Sequence, residues 1–220
     1  MRSQLFSSDE HLRIAEKTRL LLNDRGDSFA ENTIKSTRAV GDTLQDILAE
    51  HFGTLLGNHC VDYSANFARR AMADLAFRDK DDNYYVVDVK THRDDTKFNM
   101  PNLTSVERLA RFYEDDTNYF VLLLIRYCVE HTTIQVKHVD FVPIEFLDWD
   151  CLTIGALGWG QIQIANSNRI TLNPHNSRKQ WMIELCNTLL EFYPKEIGKI
   201  QERIAYFEKV KSLWEKKKTF

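Results

Sequence analysis

The stretch ADLAFRDKDDNYYVVDVKTHRDD, residues 73–95, holds two aspartates and a lysine at a spacing that can do chemistry. Residues 72–78 and 84–90 read as strands, and the polar residues 79–83 between them read as a hairpin loop. Side chains alternate faces along a strand, so Asp88 and Lys90 share a face with Val86. A loop of this length pairs Arg78 with Tyr84 and sets Asp74 opposite Asp88. Directly opposed residues have Cβ atoms about 4.5–5.5 Å apart, where two like charges destabilise the pair. A lysine two residues along compensates in part, and a divalent cation between the carboxylates compensates better. The chemistry this predicts is an oxygen-ligand metal site beside a lysine.

The acid-x-lysine pattern alone carries little weight. It occurs three times, at Asp88-Val89-Lys90, Asp95-Thr96-Lys97 and Glu215-Lys216-Lys217. About one or two copies are expected by chance in a chain this charged. Asp95 falls in a polar loop and Glu215 in a charged tail. Only Asp88 ends a strand rich in Tyr and Val, and only Asp88 has a facing acid.

Several elements must position this hairpin. Residues 8–23 and 39–52 read as helices, the second with Leu44, Ile47, Leu48 and Phe52 on one stripe. Residues 102–114 carry a helical stripe of Val106, Leu109 and Phe112 after Pro101. The continuous apolar run within 118–130 predicts a strand buried on both faces, with further strands over 132–141 and 160–166. From residue 177 onward the pattern is helical, in two pieces separated by Pro194. The expected fold class is α/β, a central mixed sheet flanked by helices in one domain, 1–220. Within it, 1–35 is an N-terminal helical region, 36–175 a core and 176–220 C-terminal helices.

Composition narrows the function classes. The 220 residues are 43% hydrophobic, enough for one good core, and the net charge of −3 shows no global basic signature. Local basic patches then have to supply any grip on nucleic acid. Four cysteines show neither C-x-x-C pairs nor zinc spacing, which predicts reduced thiols. With no apolar leader in MRSQLFSSDEHLRIAEK and an apolar run, YFVLLLI, far too short to span a bilayer, the expectation is a cytoplasmic protein with no membrane partner. There is no phosphate-cradling glycine loop and no nucleophile–histidine arrangement, which removes support for a small-molecule enzyme.

The residues AD at 73–74, followed after thirteen residues by DVK at 88–90, resemble the PD-(D/E)XK nuclease core, with Ala73 in place of the proline. DVKT followed by MPN, the strand NYFVLLLIRY, and the late segment 152–181 are similar to the blunt-cutting type II restriction endonucleases of the EcoRV/HincII/SwaI group. The likeness covers about residues 36–185. It implies a restriction endonuclease-like core in which Asp74, Asp88 and the carbonyl of Val89 ligate Mg²⁺, with Mn²⁺ as a substitute. It also implies that Lys90 lies against the attacking water and the scissile phosphate. The third acid that often comes from the earlier helix would be Asp46, then Asp42, then Glu50; an exposed helix carboxylate would look the same.

The same resemblance makes Asn99 and Asn102 base readers; Gln161, Gln163, Asn166, Asn168 and Arg169 from GQIQIANSNR are further candidates, although a polar edge strand facing water would look the same. Arg69, Arg70, Arg93 and Lys97 bracket the hairpin as phosphate clamps would, although a solvated basic face has the same appearance. The expectation is a site-specific endonuclease acting as a homodimer on a short palindrome in double-stranded DNA, leaving 5′-phosphates and blunt ends. The cognate methyltransferase would be a separate protein. Two rivals remain: a repair or junction nuclease of the same core with little sequence preference, and a DNA-binding protein with a decayed, inactive core.

Overall fold

The computed structural model describes residues 3–26, 31–65, 72–131 and 133–218. The chain divides into two compact units, Met1–His175 and Asn176–Phe220. In the first unit, helices α1 (Gln4–Ser7), α2 (Glu10–Asp24), α3 (Glu31–Ile34) and α4 (Thr37–Leu56) precede the strands. A five-stranded sheet has the order β1 (Asp62–Ser64), β2 (Leu75–Arg78), β3 (Tyr84–Arg93), β5 (Asn118–Glu130), β6 (Thr133–Pro143). It is mixed: β3 and β5 run parallel and every other pair is antiparallel. The crossover between β3 and β5 holds strand β4 (Asn102–Ser105) and helix α5 (Val106–Phe112). With β8 (Gln161–Ile164) and β7 (Leu152–Gly155), β4 forms a separate antiparallel sheet of order β4-β8-β7.

Helix α4 shows why these residues form these elements. Ser36 caps it, its hydroxyl accepting from the Ala39 N–H at 3.3 Å. Val40, Leu44, Leu48, Phe52 and Leu56 recur every four residues and are all fully buried. Burying each such side chain contributes about 1.5–3 kcal/mol. Gly57, at φ 55°, ends the helix in a conformation that only glycine adopts cheaply.

The hairpin β2–β3 has the register that the loop length predicts, Arg78 opposite Tyr84 and Leu75 opposite Val87. Phe77, Tyr85 and Tyr119 lie side by side across β2, β3 and β5 and stack, with centroids 4.4 and 5.0 Å apart. The loop is organised by Asp79, whose carboxylate accepts from the Asp81 and Asn83 N–H groups, the Asn83 amide and the Tyr85 hydroxyl. Burial raises its pKa, but these hydrogen bonds outweigh burial and hold it below the usual carboxylate value.

The two faces of the large sheet differ. Val89, Leu123 and Phe141 are aligned neighbours on one face, where Phe52 of α4 and Phe6 of α1 pack on Phe141. Gly41 of α4 comes so close to this face that a Cβ there would lie 3.0 Å from the Thr91 hydroxyl. Val86, Asp88, Lys90 and His92 project to the other face, where Lys90 and His92 border a small space with Pro101, Ile164 and Ser167. At the far edge of the sheet, the Asn23 side chain forms two hydrogen bonds to Val136 of β6. Its amide donates to the Val136 carbonyl at 3.0 Å, and its carbonyl accepts from the Val136 N–H at 2.8 Å.

Four expectations need correction. The first strand begins at Leu75, because the Asp74 side chain takes over a ladder position. Residues 102–105 form strand β4, since Leu103 and Thr104 are buried and Ser105 and Asn102 pair with Gln161 and Gln163 of β8. Pairing outweighs the helical spacing there, and the helix starts only at Val106. Strands β1 and β7 carry too few residues to show a period. In the second unit, residues 178–215 form one helix, α6 (Arg178–Glu215), which continues through Pro194. Proline removes one backbone bond, the one to Leu190, on an exposed stretch of the helix.

The four cysteines are free thiols. No helix among the described residues is long and apolar enough to cross a membrane.

Candidate metal and nucleic-acid site

The site is built at the end of the hairpin. Asp74 lies one residue before β2, and its N–H still donates to the Val87 carbonyl at 3.0 Å. Its carboxylate Oδ2 accepts from the Val89 N–H at 2.8 Å, completing the edge of β3 that β2 no longer reaches. The N–H and C=O of one strand residue point to the same edge, so the Val89 carbonyl faces this side as well. The β2–β3 pairing ends at Leu75 opposite Val87, and the Asp74 carboxylate beyond it stands close enough to act on the charge of Asp88.

Asp88 is buried, with 5% exposure. Its Oδ1 accepts from the Lys90 Nζ at 2.7 Å, and its Oδ2 is buried with no hydrogen-bond partner. Burial pushes its pKa up to about 7, the Lys90 ammonium pulls against this, and the Asp74 carboxylate adds to it. A cation reaching Oδ2 would relieve all of that cost at once. Among the described residues no group of three or more His, Cys, Asp and Glu side chains is placed to hold a metal. A cation here could draw on the carboxylates of Asp74 and Asp88 and on the Val89 carbonyl. That set suits Mg²⁺, which keeps water and substrate phosphate among its ligands and needs only one or two carboxylates.

Asp46 does not join this group: it is exposed on α4, which covers the opposite face of the sheet, as do the exposed Asp42 and Glu50. Arg69 and Arg70 lie outside the described residues. Arg93 is paired with Asp95 at 2.7 Å, while Lys97 and Arg169 are exposed.

The amide residues separate into two sets. Asn102, Thr153 and Gln163 are neighbours on one face of the small sheet, whose other face buries Ile162 and Ile164. Gln163 donates to the Asn102 side chain, and Gly155 leaves it room, since a Cβ there would sit 2.7 Å from its Oε1. Gln161 joins Met72, Arg108 and the exposed Trp159 around an open cleft of about 410 Å³, which begins two residues from Asp74. These groups can reach an outside ligand.

Asn168 is engaged within the protein instead. Its Oδ1 is 2.8 Å from His92 Nε2, and its amide donates to the Thr96 and Lys97 carbonyls at 3.0 and 3.2 Å. Asn166 accepts from the Asn168 N–H at 3.0 Å, and the Asn99 carbonyl accepts from Ser167 at 2.9 Å. This clip between residues 92–99 and 166–168 is invisible to local pattern. The one signal for it is an asparagine-rich turn, which serves equally as a reader of bases.

No protein-family model matches the chain, and no curated protein matches it significantly.

Proposed function

We propose that the protein is a Mg²⁺-dependent type II restriction endonuclease, a homodimer that hydrolyses both strands of DNA at a short palindromic site. The observation that carries this reading is Asp88, bonded to Lys90 and close enough to Asp74 to feel its charge, keeping one buried oxygen without a partner. Asp74, Asp88 and the Val89 carbonyl would hold the ion. When bound, Mg²⁺ polarises the scissile phosphate and offsets the charge gathering on it.

Lys90, held by Asp88, would donate to a phosphate oxygen and favour hydroxide next to it. Gln161, Gln163, Asn102 and Asn99 would meet base edges, and Lys97 and Arg169 would meet phosphates. The products would carry 5′-phosphates, on blunt ends if the resemblance to that group holds. The host's own DNA would be protected by a methyltransferase on a separate chain.

The test is digestion of unmethylated phage DNA in Mg²⁺, repeated in Mn²⁺, beside Asp88→Asn and Lys90→Ala. Discrete bands from the wild type, reduced at least about 100-fold in both variants, are the expected result. A smear would replace the reading with a repair-type nuclease of low specificity. Intact DNA with retained binding would leave a DNA-binding protein.

A further inference from the structure

Helix α6 carries an apolar seam at strict seven-residue spacing. Ile183, Leu190, Ile197 and Ile204 recur every seven residues, and Tyr193, Ile200, Phe207 and Trp214 recur at the same interval between them. All eight are exposed, from 37% at Tyr193 to 71% at Leu190. We propose that this seam is covered by the same seam of a second copy, in a parallel, in-register two-stranded coiled coil.

Three observations point to that occupant. The seam repeats every 3.5 residues over more than four heptads, whereas a straight helix turns every 3.6. Such a pattern stays on one line only when two or more helices wind around each other.

Charge fits the parallel arrangement too. Arg203 and Glu208 flank the seam on opposite sides, five residues apart. In a parallel pair each Arg203 lies beside the Glu208 of the other copy. Lys211 is the one charged residue in the seam, a position that sets register in such pairs.

Area is also sufficient. Half-exposed side chains of this size present on the order of 100 Å² each, so the seam offers roughly 800 Å² per copy. That is what a standard stable interface buries on each partner.

The inference goes beyond the nuclease reading and stands if that reading falls. The test is the mass of the full chain by light scattering after size exclusion. The wild type is expected at twice 25.8 kDa. Ile197→Glu with Ile204→Glu is expected at the mass of one chain, and Glu202→Lys, on the opposite face of α6, is expected to stay dimeric.

Orientation is read from Cys186, which is exposed and occupies a seam position. Parallel pairing sets it across from its own copy. Oxidation with copper–phenanthroline should then give a covalent dimer on a non-reducing gel that Cys186→Ser abolishes. A monomeric wild type, or a dimer that survives the double glutamate variant, overturns the proposal. A dimer that forms no Cys186 cross-link overturns the parallel register.

Discussion

Burial lifts the Asp88 carboxyl to a pKa of about 7, against an ordinary value near 4, and Lys90 only partly offsets the cost. Between those two values the folded chain holds a proton that the unfolded chain has released. The stability this contributes is whole below about pH 4 and is lost as pH rises through 7. Asp88→Asn keeps a neutral group in the same place. Without metal, the variant should therefore be more stable than the wild type at pH 8, on the order of 1 kcal/mol or more, and the gap should close towards pH 5. Urea unfolding at the two pH values measures this, and a variant less stable at pH 8 would contradict the burial argument. Under the proposed function the same variant should lose cleavage, so stability and activity would move in opposite directions, as expected where a site is built for a ligand.

At the scale of elements, the clip centred on Asn168 joins the end of β3 to the segment after β8. Asn168→Ala removes three side-chain hydrogen bonds and leaves the Thr96 and Lys97 carbonyls to solvent. It should cost about 1–3 kcal/mol and speed amide exchange in residues 94–99 and 166–169, while the β2–β3 hairpin keeps its protection. Unchanged exchange in both segments would reduce the clip to an incidental contact.

The contrast with the hairpin shows what is legible in the sequence. Period-two alternation and a five-residue loop leave one register, so the pairing of Arg78 with Tyr84 and the sharing of a face by Asp88 and Lys90 follow from local rules. The same rules fail for residues 102–105, where a helical stripe is overridden by pairing with a strand some sixty residues later. They fail for Asn168 because its partner His92 is 76 residues away in the chain. They also cannot place Asp46, since a carboxylate on an amphipathic helix has the same spacing whichever face of the sheet the helix covers.

At the scale of the molecule, cutting both strands of a palindrome needs two sites related by a two-fold axis. Parallel pairing of α6 joins two chains at the same end of the helix, each where α6 follows its α/β unit in sequence. Under the proposed function the seam variant Ile197→Glu with Ile204→Glu should then convert supercoiled plasmid mainly to the nicked form, whereas the wild type should yield the linear form directly. A variant that still linearises in one binding event would separate dimerisation from cleavage. If the chain binds DNA as proposed, a net charge of −3 leaves its affinity to a few exposed cations such as Lys97 and Arg169. Replacing both should lower the slope of log affinity against log salt by about 2.

The two hydrogen bonds from Asn23 to Val136 carry a further consequence. β6 is an edge strand eleven residues long, and an open edge of that length is a template on which another chain can add a strand. Asn23 occupies the backbone groups of Val136 as a neighbouring strand would. Close by, Gly26 lets the chain pass so near Ile134 that a Cβ would fall 2.5 Å from its carbonyl oxygen. The end of α2 thus works as a guard against aggregation. Asn23→Ala should leave the fold in place yet make concentrated solutions cloud on standing, with turbidity growing by addition at the β6 edge.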